Sequence, residues 1–154
     1  MATQYTAGLT TGQVLTAATM NSIGAAWESY TPTWKGGATT ITKTINYAKY
    51  CQINKLVIVQ ISLTATGAGA ANGRITCTYP SGLVPANNSG YRPLGSIMLT
   101  DTGTAFYGST AVVYDSTSFS GLYYNVVDYI GTAGPALTIA SNDRFEATIM
   151  YEVA

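Results

Sequence analysis

The chain has 154 residues, no histidine, 9% charged residues, and seven basic against seven acidic side chains, for a formal net charge of zero. Globular domains usually carry about 25% charged residues, and soluble ones hold their net charge away from zero, so this composition points to a part that packs within a larger assembly. Without histidine the chain lacks the usual base, proton shuttle and metal ligand near neutral pH, which argues against most enzymes.

The length fits one domain with a short appendage. A hydrophobic content of 47% is enough for a core, and disordered chains are richer in charge and poorer in aromatics. The longest aliphatic run is Leu56 to Val59, too short for a membrane-spanning helix. Met1 to Thr11 carry no basic segment followed by an apolar one, so no secretory signal is expected. The cations Lys35, Lys43, Lys49, Lys55, Arg74, Arg92 and Arg144 stand singly. Nucleic-acid binding needs them clustered on one surface, and no such partner is expected.

In chain order, Met1 to Gly12 reads as a small, polar, extended arm. A helix is predicted over Leu15–Trp27, with Thr16 as N-cap and Met20, Ile23 and Trp27 at helical spacing. Gly24 weakens it by about 1 kcal/mol relative to alanine. Its narrow apolar stripe must pack on the domain or on neighbouring copies. The Tyr30-Thr31-Pro32-Thr33-Trp34 segment ends it, because a residue before proline avoids helical angles.

From Trp34 the chain reads as β, rich in Thr, Val, Ile and Tyr and punctuated by Gly, Asn, Asp and Pro. Strands are predicted over 38–45, 47–53, 56–66, 74–79, 94–100, 105–114, 119–130, 137–139 and 144–153. The last alternates most cleanly, with Phe145, Ala147, Ile149, Tyr151 and Val153 on one face. Short strands at this spacing predict an all-β fold, an antiparallel, jelly-roll-like β-sandwich. Residues 1–33 form an N-terminal arm and helix, and residues 34–154 the sandwich. Ser81 to Arg92 is the longest loop.

No Gly-x-Ser-x-Gly elbow, Ser-x-x-Lys motif or calcium loop occurs, and two separated cysteines make a poor zinc site. No catalytic, metal or cofactor site is expected. Glycoside hydrolysis by paired carboxylates is the remaining enzymatic option. Asp101, Asp115 and Asp143 sit in turn contexts, where aspartate satisfies local N–H groups. Asp128, inside the 119–130 strand, is the acid to inspect. Cys51 and Cys77 read either as buried small apolar side chains or as a disulfide between strands. The 12 tyrosines suit a core, a subunit interface or sugar stacking. Tyr107, Tyr123 and Tyr124 are the candidate interface or glycan contacts, since the adjacent pair Tyr123-Tyr124 must point to opposite faces.

The segment Gly12-Gln13-Val14-Leu15-Thr16-Ala17-Ala18-Thr19-Met20-Asn21, followed by Trp27-Glu28-Ser29-Tyr30-Thr31-Pro32-Thr33-Trp34, resembles the start of tailed-phage virion proteins. There a G-x-x-L-T-A-A-x-x-N stretch precedes W-x-x-Y-T-P-T-W. Tyr47 to Val57 is similar to the Y-x-K-x-x-x-I-x-x-L-V strand pair of such domains, and Tyr79-Pro80 to the turn that follows. The resemblance covers roughly residues 7 to 80. It implies a non-enzymatic minor tail, tail-fibre or capsid-decorating protein, typically a homotrimer, docked by its N-terminus with a β-sandwich projecting outward. Leu9, Val14, Leu15, Met20, Ile23 and Trp27 would then serve docking and assembly. The absence of a long shaft or collagen-like repeat favours a compact knob and, slightly, capsid decoration over the tail. Partners would be copies of the chain, other capsid or tail proteins and, in the competing reading of a receptor-binding tip, a host surface glycan. Assembly would take place in the cytoplasm of the bacterial host.

Overall fold

Ten antiparallel strands joined in one hydrogen-bonded sheet make up the fold seen in the computed structural model, which describes residues 26–69, 73–123, 128–132 and 135–154. In chain order they are β1 (Glu28–Ser29), β2 (Trp34–Gly36), β3 (Thr39–Thr40), β4 (Lys43–Ile53), β5 (Leu56–Ala65), β6 (Ile75–Thr78), β7 (Pro93–Asp101), β8 (Ala105–Val113), β9 (Ser118–Leu122) and β10 (Arg144–Glu152). The order across the sheet is β1-β4-β5-β10-β7-β8-β9-β6-β2-β3. Among the described residues there is no helix.

Alternation of apolar and polar residues builds the sheet, because successive side chains on a strand point to opposite faces. In β5, Val57, Val59, Ile61, Leu63 and Ala65 are buried, and Phe145, Ala147, Ile149 and Tyr151 of β10 repeat the pattern alongside. β10 pairs with β5 over nine residues and with β7 over six. The β4–β5 hairpin turns at Asn54-Lys55, where Asn54 takes φ +54°, a left-handed conformation that asparagine tolerates better than most residues.

The sheet curls into a half-barrel. Trp34 on β2 packs against Phe145 on β10 with ring centroids 5.6 Å apart, although the two strands are far apart in the sheet order. Phe119 on β9 lies 6.2 Å from Phe145, and Tyr79 lies 5.2 Å from Tyr151. The core therefore sits between β2, β6 and β9 on one side and β5 and β10 on the other. Each such large apolar side chain contributes about 1.5–3 kcal/mol on burial.

Residues 30–33 link the two ends of this curl, because β1 pairs with β4 at one end and β2 with β6 near the other. The Tyr30 N–H donates to the Ala48 carbonyl at 3.1 Å, and the Tyr30 hydroxyl donates to the Thr78 carbonyl at 3.4 Å. The Thr33 N–H donates to Thr78 Oγ1 at 2.9 Å, and the Thr78 N–H returns a bond to the Thr33 carbonyl at 3.1 Å. Burial raises the Tyr30 hydroxyl's pKa, so it remains a donor across the ordinary pH range.

Several sequence expectations change. The helix predicted over Leu15–Trp27 lies outside the described residues except for Ala26 and Trp27, which take no regular structure. The strands predicted over 38–45 and 47–53 are instead the two-residue β3 and one long β4. β4 runs through a register shift between Ile45 and Tyr47, where Asn46 donates to Thr64 Oγ1 at 2.8 Å. β9 stops at Leu122 instead of continuing to Ile130, because Ile130 folds back on the sheet. Its N–H donates to the Gly121 carbonyl, and its carbonyl accepts from the Ile75 N–H. Leu137 and Ile139 are buried, but their segment forms no strand. All ten strands belong to one sheet, so the hydrogen bonding does not itself divide them into the two sheets of a jelly roll.

Cys51 and Cys77 are both free and buried. They are therefore small buried apolar side chains and not a disulfide, and burial pushes the Cys77 thiol up to about 12. No helix among the described residues is long and apolar enough to cross a membrane.

Candidate polar groove and tyrosine cluster

The outward positions of β2 and β6 form the floor of a groove. With Trp34, Gly36, Ile75 and Cys77 turned to the core, Lys35 and Thr76 lie opposite each other on the outer face, with Thr78 further along β6. One wall is the turn from Tyr114 to Ser118, which joins β8 to β9. Arg74, immediately before β6, closes one end. The cavity has a volume of about 340 Å³.

Asp115 organises the turn. Its Oδ1 accepts from the Thr117 N–H and hydroxyl, both at 2.7 Å, and from the Ser118 N–H and hydroxyl at 2.8 and 3.0 Å. Burial alone would raise this carboxyl, but the bonds from Thr117 and Ser118 outweigh it and hold the group below the usual aspartate value. Asp115 is therefore ionised at neutral pH. Among the described residues its Oδ2 accepts no hydrogen bond. A lowered folded-state pKa stabilises the fold at every pH above the unfolded value of 3.8, and that contribution is lost as pH falls through the lower folded value. Asp115→Ala should lower the melting temperature at pH 7 and leave a shallower acid limb below pH 3.8, measured by thermal unfolding across pH. An acid limb unchanged from the parent chain would rule out this role.

Arg74 is held between rings. Its guanidinium carbon lies 4.7 Å from the Tyr114 ring centroid and 4.3 Å from that of Tyr129, and its Nη1 donates to the Tyr114 hydroxyl at 2.7 Å. Each such cation–ring contact contributes about 0.5–2 kcal/mol, depending on desolvation. Tyr114 meets Tyr129 edge-on at 5.4 Å, and Tyr91 tilts against Tyr129 at 5.6 Å. The Arg74 Nε is buried and has no hydrogen-bond partner among the described residues.

Three glycines let these parts approach. A Cβ on Gly73 would come within 2.5 Å of the Gly37 nitrogen. The Gly37 N–H in turn donates to the Arg74 carbonyl at 2.8 Å. Gly131 has φ +100° and faces the Gly73 carbonyl so closely that a Cβ would collide with it. Arg74 and Tyr129 are thus positioned by backbone contacts that side chains would block.

The structure places the sequence-derived candidates as follows. Tyr107 is half-buried against the core. Tyr123 is half-buried, and its N–H donates to the Asp128 carbonyl at 3.3 Å. Tyr124 lies outside the described residues, as do Leu9, Val14, Leu15, Met20 and Ile23. Trp27 is 42% exposed. The tyrosines brought together are instead Tyr91, Tyr114 and Tyr129, two of them in the adjacent Tyr-Asp and Asp-Tyr pairs 114–115 and 128–129.

Asp128 lies in a loop beyond β9, not on a strand. Thr132 and the Tyr129 N–H, the latter at 2.7 Å, hydrogen-bond its carboxylate and hold it below the usual range, with help from Arg74. The general acid of a glycosidase needs its pKa raised, and Asp128 moves the other way. Asp143 is buried and ties two loops together, accepting from the Thr102 N–H at 2.9 Å and the Ala140 N–H at 2.8 Å. Among the described residues no group of three or more Cys, Asp or Glu is placed to hold a metal ion.

No protein-family description, curated protein or solved structure matches the chain.

Proposed function

We propose that this chain is a non-enzymatic surface protein of a tailed-phage virion, docked through an N-terminal arm, Met1 to Gly12, and projecting its β domain outward as a homotrimer. The opposed halves of the curled sheet act as the two layers of a jelly-roll-like sandwich. Capsid decoration is preferred slightly over a place in the tail. The observation that carries this reading is the position of the phage-like Trp27–Trp34 motif. Its central residues are the strap that links the two ends of the curl, through Tyr30 to Ala48 and Thr78 and through Thr33 to Thr78. A motif with that role belongs to the architecture of the domain.

Association through apolar contacts agrees with the outer face, where Phe106 is 76% exposed and Met98 and Met150 are about half exposed. Deleting residues 2–14 should abolish incorporation into purified phage particles and leave thermal unfolding of the β domain unchanged. Full incorporation of the truncated chain would reject the docking role.

A further inference from the structure

We propose that the groove between β2, β6 and the Tyr114–Ser118 turn binds a neutral saccharide, holding a hydroxyl-rich sugar ring among Lys35, Thr76, Asp115 and Tyr114. This goes beyond the assembly role and does not depend on it.

The first argument is charge. The groove is lined by Lys35, Arg74 and the Asp115 carboxylate, and Asp128, outside the lining, lies close enough to Arg74 to offset its charge. A phosphate or nucleic-acid site would gather cations alone. A balanced set suits a ligand whose groups each donate and accept, as sugar hydroxyls do.

The second argument is the supply of hydrogen-bonding groups. Lys35 donates only, Asp115 Oδ2 accepts only, the Thr76 hydroxyl does both, and the Thr117 hydroxyl, whose proton goes to Asp115 Oδ1, accepts. Asp115 is fixed in place, because its other oxygen is occupied by four bonds from its own turn. Little ordering entropy would then remain to be lost on binding.

The third argument is the aromatic wall. Tyr114 lines the groove, is 36% exposed, and is braced edge-on by Tyr129, which Tyr91 backs in turn. Rigid, exposed, amphipathic rings beside polar groups are what the C–H faces of a sugar require. The cavity volume of about 340 Å³ lies at the small end of the range for ligand sites, roughly 300–1,000 Å³.

The test is a printed array of neutral and acidic oligosaccharides probed with the full chain, followed by titration calorimetry with the best neutral binder and with inorganic phosphate. Neutral oligosaccharides are expected to bind and phosphate is not. Lys35→Met and Thr76→Val should each weaken binding roughly 3- to 30-fold, as loss of one hydrogen bond to a ligand does. Both positions are on the outer face, so far-UV circular dichroism should stay unchanged. Lys55→Met, an exposed lysine in the β4–β5 turn outside the groove lining, should bind like the parent chain. Binding to acidic glycans or phosphate alone, no binding on the array, full affinity in both groove variants, or loss in Lys55→Met alone would each overturn the proposal.

Discussion

Trp34→Ala is expected to remove about 3–5 kcal/mol of unfolding free energy, the usual cost of deleting a fully buried large aromatic. Trp34 is 0% exposed and makes the 5.6 Å ring contact with Phe145 that joins β2 to β10 across the half-barrel. The strand carrying it has only three residues, and its pairing with β6 spans the same three. Beyond that pairing, β2 is held by the Thr33–Thr78 and Gly37–Arg74 bonds at its two ends, so the cavity would come with loosening between them. At about 2–4 °C per kcal/mol for a chain of this size, the melting temperature should fall by roughly 6–20 °C. Trp34→Phe supplies an internal contrast. The Trp34 Nε1 is buried without a hydrogen-bond partner among the described residues, so phenylalanine removes a donor unsatisfied by them while losing volume. Its expected cost is below about 2 kcal/mol. Equal losses in the two variants, read from urea unfolding by circular dichroism, would show that packing on Phe145 does not hold the curl together.

Gly73→Ala is the second large effect. Its Cβ would lie 2.5 Å from the Gly37 nitrogen, 2.7 Å from the Gly36 carbonyl carbon and 2.9 Å from the Gly37 Cα. All three are backbone atoms, so no side chain can swing aside. Relief requires β2 and the Gly73–Arg74 segment to separate, which stretches the 2.8 Å bond from the Gly37 N–H to the Arg74 carbonyl. Overpacking of this kind costs about 1–3 kcal/mol, and here it also displaces Arg74 from between Tyr114 and Tyr129. Gly108→Ala is the control, since a Cβ there meets nothing within 4 Å and the change should stay within about 0.5 kcal/mol. Indistinguishable stabilities for the two variants in thermal unfolding would contradict the close approach.

The strands of the core were legible because their period is two and their apolar residues are large. β5 and β10 need nothing beyond their own alternation to be recognised, and the two pair along almost their full lengths. β1 was not legible. Two residues carry no period, and Glu28 and Ser29 become a strand only because β4 offers an edge. The Asn46 irregularity concealed the continuity of β4, since a register shift reverses which residues face inward. Ile130 misled in the other direction. Its apolar neighbours extend the β9 pattern, while its backbone serves Gly121 and Ile75.

The groove was least legible of all. Its parts come from residues 33–37, 74–78 and 114–118, with Tyr91 and Tyr129 behind them, and no spacing in the chain announces that they meet. The adjacency of Tyr123 and Tyr124 drew attention to local geometry, whereas Tyr91, Tyr114 and Tyr129 are brought together by tertiary contacts around Arg74. The usable signals were Gly73 before Arg74 and the Asp115-Ser116-Thr117-Ser118 turn, each of which specifies a rigid backbone.

The central claim is that a chain with few charged residues and no net charge associates with copies of itself through apolar and tyrosine surfaces. Sedimentation equilibrium of the full chain at 50 mM and 1 M sodium chloride tests it most directly. Exposed ion pairs are screened strongly over that range and apolar contacts are not. The account predicts a single species of three times the 16.1 kDa chain mass at both concentrations. A 16.1 kDa monomer, or an oligomer that dissociates as salt rises, would contradict it.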